Sequence, residues 1–156
     1  MRKVIGIGET VLDIIFKDNK PVNAVPGGSA FNAIISLGRA GISAHFIGEV
    51  GHDRVGTYIL DFLKANHVDG SNVEISPEGQ SHLSLAFLDE GNNADYLFYK
   101  DHAHDSFSMC YPEINRDDIV LFGSFFAINP AVRPQVSDFL TYAHKCGAIL
   151  YYDVNY

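Results

Sequence analysis

Residues 26–56 read PGGSAFNAIISLGRAGISAHFIGEVGHDRVG, and this stretch decides the fold. Gly27 and Gly28 remove two Cβ atoms immediately before an apolar pattern at helical spacing begins. Backbone can therefore approach a ligand closely at a place where the first helical N–H groups lack partners. Ser29 is the expected N-cap, Ala30, Ala33, Ile34 and Leu37 form the apolar stripe, and Gly38 and Gly41 stand where the helix should end. Asn32 falls in the first turn, with an amide that can both donate to and accept from a hydroxyl. Residues 45–48 follow as a strand. Asp53 is the expected N-cap of a second helix that buries Val55, Ile59, Phe62 and Leu63. A tight strand-to-helix turn with an incidental asparagine would leave the same two glycines, so they do not by themselves assign a ligand.

The chain has 156 residues, enough to bury a sizeable core, and its apolar content of 47% against 19% charged residues is that of a globular domain rather than a disordered one. A net charge of −8 argues against nucleic acid or an anionic membrane as the partner. It leaves room for a phosphate site made of backbone N–H groups. The opening MRKVIGIGET runs straight into a strand pattern, and no apolar run approaches the roughly 20 residues of a membrane span, so a cytoplasmic protein is expected. Cys110 and Cys146 are expected as free core thiols.

Residues 4–8 and 11–16 are short apolar runs, the second interrupted by Asp13; KDNK at 17–20 is a turn, after which 22–25 returns as the partner of a hairpin. Asp13 thus lies just past the first strand, where Gly27 and Gly28 must also end. In parallel α/β sheets the ligand crevice lies outside the carboxyl ends of the strands. By position alone Asp13 suits an acceptor of hydrogen bonds from ligand hydroxyls and a turn cap equally. Residues 67–72, HVDGSN, read as a loop. Residues 81–88 and 95–100 flank EGNN at 90–93 as a second hairpin, with Phe87, Tyr96, Phe98 and Tyr99 either in a core or over a ligand. His102 and His104 would face one side of an extended segment, but no third ligand can be placed with them, so a solvated loop is expected and no metal site.

IVLFGSFF at 119–126 reads as a buried strand, Asn129 and Pro130 as the start of a helix carrying Val132, Val136, Phe139, Leu140 and Ala143 and ended by Gly147, and 148–152 as the next strand. That alternation is the βαβ pattern of a parallel sheet, in which the 148–152 strand should be buried on both faces; with no following helix to cover it, this piece is expected to expose apolar sheet there.

The spacing GG-x-x-x-N at 27–32, the helix and strand after it, and then Gly51, Asp53 and Gly56 resemble the N-terminal signature of the ribokinase-like, or PfkB, carbohydrate kinases, the fructokinase-like members above all. DVNY at 153–156 resembles the DxNY(R) stretch after a central strand of those members. The resemblance implies a three-layer α/β fold with a mostly parallel central sheet and a small β lid. Residues 1–156 would be the N-terminal portion of one such domain, with lid strands near 11–25 and 82–100. It implies ATP-dependent, Mg²⁺-assisted transfer of the γ-phosphoryl group to a sugar hydroxyl. The G-A-G-D motif with its catalytic Asp would lie beyond Tyr156, so no catalytic residue is expected in this chain, which by itself should be inactive.

The same resemblance makes Asp13, Gly28, Ser29 and Asn32 contacts to sugar hydroxyls and adds Lys100 and Asn155 as further substrate-binding residues. Ser29 stands where ribokinase-like members have Lys, which favours a hexose: fructose first, then a ketosugar acid such as 2-keto-3-deoxygluconate, then a nucleoside. Lys100 stands where fructokinase-like and ketogluconate-kinase-like members often have Arg, and an ammonium does not reproduce a bidentate guanidinium. In the family the lids of two subunits often pair, which implies a homodimer through the lid strands. The principal alternative is a non-catalytic sugar-binding module or pseudokinase. A dinucleotide site is disfavoured by Val11 in the glycine fingerprint and by the lack of any acidic residue between Asp18 and Glu49; a P-loop is disfavoured by the absence of G-K-[ST].

Overall fold

The computed structural model describes residues 2–100 and 108–155. In chain order the elements are β1 (Val4–Ile7), β2 (Val11–Lys17), β3 (Lys20–Gly27), α1 (Ser29–Arg39), β4 (Ala44–Gly51), α2 (Arg54–Ala65), β5 (Val68–Ser76), β6 (Leu83–Leu88), β7 (Ala94–Tyr99), β8 (Ile119–Gly123), α3 (Ser124–Ile128), α4 (Arg133–Lys145) and β9 (Ile149–Asp153).

Strand β1 is buried at every residue, the pattern of a strand covered on both faces. It is the middle of a five-stranded sheet ordered β5-β4-β1-β8-β9, in which every pairing is parallel. Side chains alternate between two cores. Val4, Phe46 and Leu121 meet Phe31 and Ile34 of α1 and Ile59 and Leu63 of α2, while Ile5, Ile7, Ile47 and Val120 meet Val136, Phe139 and Ala143 of α4 on the opposite face. The result is a three-layer α/β arrangement with a smaller second sheet, as expected from the sequence. That second sheet, ordered β3-β2-β6-β7, joins two antiparallel hairpins through a parallel β2–β6 pairing. The tip of the first hairpin, Asp18 and Asn19, takes φ values of 51° and 58°, the left-handed geometry of a tight two-residue turn.

Local details depart from the sequence expectation. The cap position of α1 is Gly28, with φ 131° and no side-chain cap, and Ser29 is the first helical residue. Gly38 lies inside the helix, and Gly41, with φ 78°, follows its end. Residues 68–72 belong to β5, because pairing with β4 recruits them; an irregularity between His45 and Ile47 absorbs the turn-like Gly70 and Ser71. The aromatic run after β8 is helical from Ser124, since the register with β9 ends at Gly123↔Asp153 and no ladder partner follows. Helix α4 begins at Arg133 with Pro134 in its first turn, whereas Asn129 closes α3 and accepts from the Ala131 N–H. Strand β9, by contrast, is as expected: paired only to β8 at the sheet edge, it exposes the apolar Ile149, Leu150, Tyr151 and Tyr152. Both cysteines are free, but Cys110 is exposed and Cys146 only part-buried, so neither is a core thiol.

The two sheets are fastened together at Asp53. Its carboxylate caps α2 by accepting from the Gly56 N–H at 2.7 Å, and it also accepts from the N–H of Ser81 at 2.7 Å and the Ser81 hydroxyl at 2.9 Å, just ahead of β6. The Ser81 oxygen in turn accepts from the Gly51 N–H at 2.9 Å. Burial pushes the Asp53 pKa up, but the hydrogen bonds from Gly56 and Ser81 together outweigh it and hold the group below its ordinary value. A folded-state pKa below the unfolded one, about 3.9, means the stabilisation is fully present above that value and is lost as pH falls through the folded pKa. Asp53→Ala should cost about 2 kcal/mol at neutral pH. In urea titrations against pH, the gap between wild type and Asp53→Asn should narrow as pH falls below the ordinary carboxylate range and through the lowered folded-state pKa; a gap independent of pH would contradict this account.

Candidate functional site

At its carboxyl end β1 runs into Gly8, Glu9 and Thr10. The Gly8 N–H donates to the Ile47 carbonyl at 3.2 Å, and the buried Thr10 donates its hydroxyl to the Glu49 carbonyl at 3.1 Å, so the turn into β2 is pinned to β4. Asp13, one turn of the pleat into β2, lies opposite Val25 of β3 and Ser84 of β6. Ser84 is fully buried, and its hydroxyl donates to Oδ1 of Asp13. The other carboxylate oxygen lies over Gly27, where any Cβ would collide with it. A Cβ on Gly28 would meet the Glu9 carbonyl, and its φ of 131° is a conformation that side-chain-bearing residues rarely adopt.

These contacts bring Asp13, Gly28, Ser29 and Asn32 to one place, the junction of β3 with the N-terminus of α1. Asn32 donates its backbone N–H to the Gly28 carbonyl and is exposed, leaving its amide turned to solvent-accessible space. The half-buried carboxylate of Asp13 retains lone pairs beyond the one taken by Ser84. Together the two side chains can receive and supply hydrogen bonds to neighbouring hydroxyls of a polyol, with bare backbone at Gly27 and Gly28 beside them.

Lys100, directly after β7, reaches the same end of β1: its Nζ lies 2.6 Å from Oε2 of Glu9 and 5.7 Å from the centre of the Phe98 ring. It lines a cavity of about 400 Å³ with Gln80, Ser81, Leu83 and Tyr99 at the root of the second sheet. Asn155 is not brought into this cluster. It follows β9, two strands from β1, is exposed, and donates its backbone N–H to Asp153. The His102 and His104 pair lies outside the described residues. Among the described residues no group of three or more His, Cys, Asp or Glu side chains is placed to hold a metal.

Two residues of this cluster were not singled out by the sequence. Glu9 is the first acidic residue after β1, and Ser84 is the one polar residue in LSLAFL of β6. Each signal is visible afterwards, yet neither residue's partner lies nearby in the chain.

Residues 1–150 match the pfkB family of carbohydrate kinases, and the chain belongs to that family. It is 25% identical over 163 residues to a probable chloroplastic fructokinase-6 of Arabidopsis thaliana, an alignment covering 97% of this chain and 42% of the relative. It is 32% identical over 138 residues to a 5-dehydro-2-deoxygluconokinase of Geobacillus thermodenitrificans, covering 83% and 40% respectively. The crystal structure of apo fructokinase from Vibrio cholerae O395 superposes with a TM-score of 0.84 at 21% identity, over 100% of this chain and 54% of that one. A Pyrococcus horikoshii sugar kinase in complex with ATP gives 0.81 at 23% identity, over 98% and 53%. The chain therefore spans about half the length of the relatives it matches.

The Ser84–Asp13 bond should be measurable without any ligand. Ser84→Ala is expected to lower the unfolding free energy by about 1–3 kcal/mol. In a double-mutant cycle with Asp13→Asn the two changes should couple by about 1 kcal/mol in urea denaturation. Strict additivity would show that the two side chains do not bond in solution.

Proposed function

We propose that this chain is the N-terminal, acceptor-binding portion of one ribokinase-like domain that transfers the γ-phosphoryl group of ATP to a hydroxyl of a sugar, with fructose as the first candidate. The observation that carries the proposal is the placement of Asp13: one carboxylate oxygen is held by the buried Ser84 and the other lies over Gly27, beside the helix turn that carries Asn32. The similarity to fructokinases and 5-dehydro-2-deoxygluconokinases supports the substrate class, and a fructokinase double mutant of the same fold holds fructose, ADP and a potassium ion.

The chemistry sets what each part must do. A sugar hydroxyl is a weak nucleophile until a base takes its proton, and the transferred phosphoryl group needs its spreading charge stabilised. In this proposal Asp13, Gly28, Ser29 and Asn32 hold and orient the acceptor and do not themselves perform proton transfer. ATP supplies the phosphoryl group and Mg²⁺ would offset its charge. In this reading the ligands of metal and nucleotide and the catalytic base belong to the remainder of such a domain. The second sheet, β3-β2-β6-β7, serves as the lid, and the exposed Tyr96, Leu97, Phe98 and Tyr99 of β7 make it a candidate surface for pairing with a second copy. No described helix is long and apolar enough to cross a membrane, and we assign the protein to the cytoplasm.

In the protein that carries this chain, Asp13→Ala and Asn32→Ala should each raise the sugar KM about tenfold or more while leaving the ATP KM nearly unchanged, as followed by coupled ADP release. Unaltered sugar kinetics in both variants would remove the acceptor site from these residues. Saturable sugar binding with no ADP release from any form of the protein would favour a binding module instead.

A further inference from the structure

The ion pair at the mouth of the site carries an inference that rests on the sugar-acceptor reading above. Among the described residues that line the cavity at the root of the second sheet, Lys100 is the cation, and its ammonium is engaged by Glu9 at 2.6 Å. The two residues arrive from different sheets, Glu9 from the end of β1 and Lys100 from the end of β7. Glu9 cannot be swung away as a whole, because its carbonyl is packed against Gly28 and the turn that follows is pinned through Thr10 to β4. Both side chains keep solvent access, 43% for Lys100 and 36% for Glu9, so an entering ligand can reach them.

We propose that Glu9 is a specificity-determining residue: its carboxylate neutralises Lys100 at the mouth of the acceptor site and sets that site for a neutral sugar rather than a sugar acid. A free lysine there would attract the carboxylate of an aldonic or ketosugar acid. A lysine already paired offers that carboxylate little, and the acid must in addition enter the field of Asp13 and of Glu9 itself. A neutral polyol meets no such penalty, since hydroxyls can donate to Glu9 and Asp13 and accept from Lys100. The size of the effect is bounded by exposure: a partly solvated pair of this kind is worth up to about a fivefold change in an equilibrium constant.

The test is calorimetric titration of the full chain, wild type and Glu9→Gln, with fructose and with 2-keto-3-deoxygluconate. The wild type should bind fructose more tightly than the acid. Glu9→Gln should raise the ratio of acid to fructose affinity about fivefold, and the gain should vanish in the double variant Glu9→Gln/Lys100→Met, in which the released cation is gone. Because both side chains are partly exposed, the substitutions leave the core untouched, and circular dichroism will verify folding. A wild-type preference for the acid, a ratio moved less than about twofold, or a gain that survives in the double variant would overturn the assignment of Glu9 while leaving fructose binding in place. Binding of neither ligand would overturn the sugar-acceptor reading and this inference with it.

Discussion

The site depends on how closely helix α1 can approach strand β1. A side chain on Gly6 would overlap Ile34, and one on Gly8 would press on Ala30, so the bare strand lets the helix lie directly on the sheet. With Phe31 and Ile34 fully buried beneath it, the helix has little freedom to slide, because close-packed interiors resist displacement of even a methyl group. The position of its first turn is therefore fixed by core packing, and that first turn is where Gly28, Ser29 and Asn32 sit. Asp13 comes to the same point by a separate route, through β2 and its pairing with β3 and β6.

Polar connections fasten the second sheet to the first and hold its own strands β2 and β6 together, and they differ in weight. Asp53 with Ser81 and Asp13 with Ser84 are hydrogen bonds to carboxylates in buried or part-buried surroundings, the kind worth roughly 1.5–3 kcal/mol. Glu9 with Lys100 is a partly exposed ion pair, whose stabilisation is typically under about 1 kcal/mol. The first two set how the second sheet is rooted, while the third is too weak to do so.

Much of this was legible in the sequence where the determining contacts are local or periodic. The apolar spacing of residues 30–37 marked α1, Asp53 marked the start of α2, and the KDNK and EGNN turns marked both hairpins. Where the outcome turned on contacts distant in the chain, the sequence was silent or misleading. DGSN has a loop's composition but pairs as strand because β4 supplies the ladder. The GSFF run could continue a strand or begin a helix, and the end of the β9 register decides it. Ser84 and Glu9 matter through partners 71 and 91 residues away, a separation at which no pattern in one sequence points from one residue to the other.

The division between strong buried bonds and one weak exposed pair has a consequence for how such a site can change. Substituting Asp53 or Ser84 perturbs the frame that places Asp13, so changes there alter stability and binding together. Glu9 and Lys100 lie on the rim, where Coulomb energy is moderated by water and the core is not disturbed. Under the proposed reading, a site arranged in this way can exchange preference between neutral and charged ligands through rim residues while the Asp13 carboxylate and the bare glycines keep their geometry. Substrate class is then written in residues that contribute little to the fold, and the features that identify the fold say little about the charge of the ligand.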